Sequence, residues 1–105
     1  MKIEIPKDNI LGNPIRLAIM LHLLIAGSVT FSNLRKALNT TPGNLDSHLR
    51  KLERARLVKI RKTIIGLRPR TLIMITEEGY VKTLRYIRSI REAIEDVLSK
   101  IEQST

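Results

Sequence analysis

The chain has 105 residues, 43% of them hydrophobic, with 19 Lys and Arg against 10 Asp and Glu and a net charge of +9. That length builds one domain with a modest core, so two independent domains are excluded, and the charge calls for a polyanionic partner such as nucleic acid or an acidic membrane surface. Cysteine is absent, which excludes a disulfide framework and thiolate metal sites and fits a reducing, cytoplasmic setting.

Glu4, Pro6 and Asp8 interrupt the N-terminus, so it does not have the apolar stretch of a secretion signal. Asn13-Pro14 then opens a first helix: an Asn side chain accepts an orphan backbone N–H, and proline in the first turn has none to lose. Leu17, Met20, Leu21 and Leu24 recur at helical spacing and are expected to form its core stripe, with Gly27 ending the helix. The apolar run Ile15 to Ile25 contains Arg16 and His22 and is shorter than the ~20 residues of a membrane span. An intracellular chain that does not enter a membrane is expected.

Ser28 to Phe31 is long enough for one edge strand, after which Ser32 is expected to cap a short helix with Phe31, Leu34 and Leu38 on one face, ended by Asn39 and Thr40. Thr41-Pro42 repeats the cap-and-proline signal and opens a third helix, about residues 42–55. At about 100° per residue, Leu45, Leu49 and Leu52 point inward and Asn44, Ser47, Lys51 and Arg54 nearly opposite, with His48 on one flank and Asp46 and Glu53 on the other. Short hydrogen-bonding side chains suit base edges and cations suit phosphates, with carboxylates kept aside.

Val58, Ile60, Ile64 and Ile65 alternate loosely with Lys59, Arg61 and Lys62, predicting a half-exposed strand. Gly66-Leu67-Arg68-Pro69-Arg70 reads as a five-residue basic tip, and Thr71 to Ile75 as the returning strand. Thr76-Glu77-Glu78 supplies a cap and dipole-matched acids for a last helix running to about residue 102. The terminal residues, 1–8 and 103–105, are expected to fray.

The element order predicts an α+β, mostly α fold: a winged helix-turn-helix with a long C-terminal dimerisation helix. Residues 1–105 form a single domain, with the winged helix-turn-helix core at 13–75 and the dimerisation helix at 76–102. Charge is divided in the same way, since residues 1–75 hold 14 basic and 4 acidic side chains and residues 76–105 hold 5 and 6.

In the last helix Tyr80, Ile87, Ile94 and Ile101 fall seven apart, with Thr83, Ile90 and Val97 interleaved. This heptad stripe either packs along its own domain or pairs with a second copy, and the favoured reading is pairing through Tyr80, Ile87, Ile90, Ile94, Val97 and Ile101. Two recognition helices would then meet a pseudo-palindromic site with half-sites about one helical turn apart.

The sequence resembles the small archaeal-type winged-helix regulators related to the MarR and ArsR groups, over roughly Asn13 to Tyr80. The resemblance lies in Asn13-Pro14-Ile15-Arg16-Leu17, Phe31-Ser32-Asn33-Leu34, Gly43-Asn44-Leu45-Asp46-Ser47-His48-Leu49, Lys51-Leu52-Glu53, Arg68-Pro69-Arg70-Thr71 and Thr76-Glu77-Glu78-Gly79. It implies that Thr41, Gly43, Asn44, Ser47 and His48 open the recognition helix against DNA. It also implies that the turn Arg68 to Arg70 touches the backbone or minor groove, and that the molecule is a homodimer. Arg56 departs from the pattern: the family usually has glycine there, so either a side chain sits in a left-handed helix cap, at a cost on the order of 1 kcal/mol, or the helix ends differently.

The function expected is a sequence-specific double-stranded DNA-binding transcriptional regulator, with phosphate contacts from Lys51, Arg54, Lys62, Arg68 and Arg70 and a wing at 62–71. Two alternatives use the same surface: an architectural or chromatin-associated binder with little base preference, and a winged-helix module that engages an acidic protein. His22 and His48 do not gather a zinc ligand set, and no nucleophile elbow or glycine-rich phosphate loop is present, so no metal, cofactor or enzymatic activity is expected. The resemblance leaves room for a small-molecule effector, which no residue here identifies.

Overall fold

The computed structural model describes residues 2–104, in the order α1 (Pro14–Ala26), β1 (Ser28–Thr30), α2 (Phe31–Leu38), α3 (Pro42–Arg54), β2 (Val58–Ile65), β3 (Arg68–Ile75) and α4 (Glu77–Gln103). Four helices and a small antiparallel sheet in the order β1-β3-β2 make a mostly helical α+β fold. Among the described residues no helix is long and apolar enough to cross a membrane.

Local chemistry explains the boundaries. The Asn13 side chain accepts from the Ile15 and Arg16 N–H groups at 3.0 and 3.1 Å, and the Thr41 hydroxyl from Asn44 N–H at 3.2 Å. Each such cap stabilises its helix by about 1 kcal/mol. The second helix corrects an expectation, since Thr30, not Ser32, takes the orphan Asn33 N–H at 3.2 Å. Strand β1 abuts α2 directly, so Ser32 already lies inside the first turn. Asn39 closes α2 in the left-handed conformation at φ 49°, ψ 50°, and Gly27 closes α1 at φ 77°.

One cluster forms the core: Leu11, Ile19, Met20 and Leu23, Leu34, Leu45, Leu49 and Leu52, then Leu57, Val58 and Ile73. The inward face of α3 is the one its periodicity predicts. That of α1 is not: Arg16, Ile19, Met20 and Leu23 are buried, whereas Leu21 faces solvent and Leu17 and Leu24 are half-buried. This helix is apolar nearly all round, so its sequence has no polar boundary to fix its rotation. Strand β3 is central, and its buried Ile73 pairs with Val29 on one side and Ile60 on the other.

The N-terminal segment is tied down further than expected. Asp8 accepts from the Ile10 and Leu11 N–H groups at 2.9 and 2.8 Å and lies 3.5 Å from Lys82 Nζ, while Leu11 is fully buried. Ile3 and Ile5 line an apolar recess with Ala93, Ile94, Val97 and Leu98 of α4. Ser104 N–H still bonds the carbonyls of Lys100 and Ile101, and Met1 and Thr105 lie outside the described residues.

Candidate nucleic-acid interface

The connection leaving α3 sets where its surface stands. Leu57 N–H bonds the Leu52 carbonyl at 3.0 Å and Arg56 N–H the Glu53 carbonyl at 2.9 Å, the paired bonds of a Schellman cap, with Leu52 and Leu57 packed together in the core. The residue between is Arg56 at φ 65°, so this departure from the family pattern is a non-glycine residue held left-handed. Two bonds from Thr76 hold it: the Thr76 hydroxyl donates to the Arg56 carbonyl at 2.7 Å, and Thr76 N–H bonds the Leu57 carbonyl at 3.1 Å. Gly79 lies against that same Leu57 backbone so closely that a Cβ would overlap the carbonyl oxygen. Together these interactions lock α3, the sheet and the start of α4.

Gly43, Asn44, Ser47, Lys51 and Arg54 of α3 are exposed, and Thr41 precedes them, also exposed. Thr41 spends its hydroxyl on the cap, and the Asn44 side-chain amide donates to the Thr40 hydroxyl at 2.8 Å. Gly43 has a different meaning from Gly79: its φ is not positive and a Cβ there would meet nothing within 4 Å. The fold does not require glycine at this position, and its bare backbone leaves the first turn of α3 open to close approach.

Asp46 forms an ion pair with Arg50 at 2.8 Å. This hydrogen bond and charge hold the exposed Arg50 guanidinium above its usual pKa. The carboxylate is thereby partly offset within its own helix. His48 stands apart from the exposed set. It is half-buried, 3.1 Å from the Arg16 guanidinium. Its pKa lies below the usual histidine range because of burial, then the charges of Arg16 and Lys51.

The wing corrects another expectation. Ile65 pairs with Arg68, so the turn is the two residues Gly66-Leu67, and Arg68, Pro69 and Arg70 belong to β3. Gly66 has φ 66°, which a two-residue hairpin with glycine first requires. Pro69 pairs with Ile64 next to the turn-flanking pair, where an antiparallel ladder leaves N–H groups pointing outward, and β1 covers only Leu72 to Met74. Proline therefore breaks no ladder bond.

The register assigns sides. Lys59, Arg61, Thr63 and Ile65 share one face with Arg68, Arg70, Leu72 and Met74; Val58, Ile60, Lys62 and Ile64 share the other with Pro69, Thr71, Ile73 and Ile75. Val58 and Ile73 are buried, so the second face is turned to the core. Arg68 and Arg70 thus stand on the outer face with Lys59 and Arg61, whereas Lys62 lines a cleft with Phe31, Asp46, Arg50, Glu53, Ile60 and Thr71. The sequence reading set Lys59 and Arg61 only in a half-exposed strand; their sharing a face with Arg68 and Arg70 follows from pairing the strands through a two-residue turn. Between Glu53 and Glu77 the chain carries no carboxylate side chain.

On α4, Thr83 is fully buried against the molecule's own lobe, and Tyr86 packs at the edge of the core. Farther along, Ile87, Ile90 and Val97 are half-buried, and Ile94 and Ile101 are exposed, as is Tyr80 near the start. The molecule measures 60 × 24 × 22 Å, and its long axis reflects this helix, whose 27 residues span about 40 Å. Among the described residues no group of His, Asp and Glu could hold a metal ion.

The sequence profile of a winged helix DNA-binding domain matches residues 15–94. An uncharacterized protein of Methanocaldococcus jannaschii is 39% identical over 67 residues, 64% of this chain and 73% of that one. The structure of a transcriptional regulator homologue from Pyrococcus horikoshii matches with a TM-score of 0.82 at 47% identity, covering 87% of this chain and 90% of that one. MepR, a transcription regulator of a Staphylococcus aureus multidrug efflux pump, matches in fold with a TM-score of 0.70 at 22% identity over 84% of this chain and 64% of its own. A MarR-like regulator from Thermotoga maritima does so at 0.67 and 19%, over 91% and 69%.

Proposed function

The chain belongs to the winged helix DNA-binding domain family, and we propose that it is a DNA-binding transcriptional regulator, not an enzyme, that acts in the cytoplasm as a homodimer selective for particular duplex sequences. The observation that carries this reading is the surface of α3. It combines an open N-terminal turn at Gly43, short polar side chains at Asn44 and Ser47, and cations at Lys51 and Arg54, all exposed on a helix whose opposite face is core. Major-groove recognition uses hydrogen-bonding side chains toward base edges and cations toward phosphates, and this arrangement supplies both.

In this reading Asn44 and Ser47 meet base edges, with His48, half-buried beside them, at the margin of the same surface. Thr41 and Gly43 place the helix N-terminus near a phosphate. Lys51 and Arg54 neutralise phosphates beside the groove, and Arg68 and Arg70 extend the contact to the backbone or minor groove. Lys62 adds its charge from the cleft side. Labour is divided accordingly: residues 13–75 engage DNA and residues 76–102 pair two copies.

Pairing is supported by the apolar side chains that α4 leaves uncovered, with Tyr80 at 47%, Ile94 at 53% and Ile101 at 54% exposure. A dimer would cover that stripe and present two α3 helices to a two-fold-related site.

The test is selection from a randomised duplex library, followed by titration of the enriched sequence against mixed DNA. A palindrome bound at least ~10³-fold more tightly than mixed DNA is expected. Tight, salt-sensitive binding without enrichment would replace the regulator with an architectural binder, and negligible binding would leave a protein-interaction module.

A further inference from the structure

Arg16 is a buried cation, at 8% exposure, that no carboxylate pairs among the described residues. Its guanidinium is satisfied otherwise: Nε donates to the Ile10 carbonyl at 2.7 Å, Nη2 to the Asn9 carbonyl at 3.3 Å, and Nη1 lies 3.1 Å from Nδ1 of His48. The two carbonyls belong to the turn that Asp8 caps, and Asp8 is in turn placed by Lys82 of α4. An arginine in the first turn of α1 is thus fixed by one segment of chain and aimed at one histidine of the candidate recognition helix.

We propose that Arg16 is a positioning residue for DNA reading, holding His48 as the neutral tautomer with hydrogen on Nε2, so that α3 offers the groove one fixed donor there and no charge. The proposal rests on the DNA-binding reading of α3.

The argument is one of hydrogen-bond capacity. A guanidinium has donors and no acceptor, so the nitrogen facing it must contribute a lone pair, and a neutral imidazole with its lone pair on Nδ1 carries its hydrogen on Nε2. Protonation would set an N–H against an N–H and add a third positive charge beside Arg16 of α1 and Lys51 of α3, the charged groups that act on this ring. Burial and those same two charges hold the pKa down. A single fixed donor favours bases with acceptors in the major groove, N7 and O6 of guanine, N7 of adenine or O4 of thymine, over cytosine, which offers a donor. Histidine left to rotate and exchange tautomers would discriminate less.

The first measurement is a nitrogen NMR spectrum of the imidazoles in the free, full-length wild-type protein. It is expected to show His48 with an unprotonated Nδ1 and a protonated Nε2 at neutral pH. Protonated Nδ1 would overturn the proposal whether or not any variant folds. The second measurement repeats the library selection with Arg16→Met, Arg16→Lys, His48→Ala and the double variant. Arg16→Met and His48→Ala are expected to lose about tenfold discrimination at the same base position. The double variant should lose no more than either alone, because both substitutions remove one device. Arg16→Lys, which keeps a donor for Nδ1, should recover part of it. Additive losses, or unchanged preference in a folded Arg16→Met, would make Arg16 structural only. A wild-type chain that bound no duplex would remove the DNA reading and this proposal together, whereas sequence-selective binding with a protonated Nδ1 would remove this proposal alone.

Discussion

Arg56 and Gly79 are joined through the one hydroxyl of Thr76, which donates to the Arg56 carbonyl at 2.7 Å and accepts from Gly79 N–H at 2.9 Å. The end of the candidate recognition helix and the start of the longest helix therefore share a hydrogen-bonded joint, reinforced by Gly79 lying against the Leu57 backbone.

That joint gives two opposite expectations. Arg56→Gly relieves a side chain held at φ 65° and should stabilise the fold by about 0.5 to 1 kcal/mol, after glycine's greater chain entropy offsets part of the gain. Gly79→Ala should destabilise by about 2 to 4 kcal/mol, because a Cβ has backbone, not a movable side chain, to displace. Urea titrations check both, with the midpoint rising for the first and falling for the second at a similar slope.

Thr83 is buried, and its hydroxyl has no hydrogen-bond partner among the described residues. Valine has the same shape without the group to desolvate, so Thr83→Val is expected to add about 1 kcal/mol. A loss of stability on thermal or urea unfolding would mean that the hydroxyl is bonded in solution.

The wing register separates its cations. Arg68→Ala or Arg70→Ala should lower the slope of log K against log salt by about 0.9 for each phosphate no longer neutralised, with every duplex weakened alike. Lys62→Ala, on the core-side face, should change the slope less than either. Equilibrium titrations over a range of salt decide this; an equal effect from Lys62 would put the cleft side against the DNA together with the outer face.

Ile94 lies on α4 at 53% exposure, beside Val97, Ile3 and Ile5. A charge there should prevent apolar pairing while leaving the lobe folded, so Ile94→Glu is expected to sediment as a monomer and keep wild-type helical content. A dimeric variant would move the interface to another surface.

How much of this the sequence showed depended on how local each signal was. Asn13-Pro14, Thr41-Pro42 and Thr76 placed three helix starts because a cap is decided within four residues. The outward face of α3 was legible because charged and apolar residues divide its wheel. The rotation of α1 was not, and the role of Arg16 was hidden with it: only the folded chain brings the Asn9 and Ile10 carbonyls and His48 to one guanidinium. Pro69 suggested a long tip because proline commonly marks turns, but an outward-facing ladder position tolerates it equally well. The spacing of the heptad stripe was readable, yet Thr83 packs inside its own lobe, since spacing alone cannot say which turns of α4 the lobe already covers.

The two-residue turn at Gly66-Leu67 makes the wing a ruler graduated in pairs. Its strands match residue for residue from Val58 with Ile75 to Ile65 with Arg68. Adding one residue to each strand would advance the tip by about 3.4 Å and carry Arg68 and Arg70 to the opposite side. Adding two would advance it by about 7 Å with the arginines restored to their original side. Lengthening the hairpin while keeping Arg68 and Arg70 on their present face therefore takes the larger step, and a designer grafting the wing elsewhere inherits the same increment.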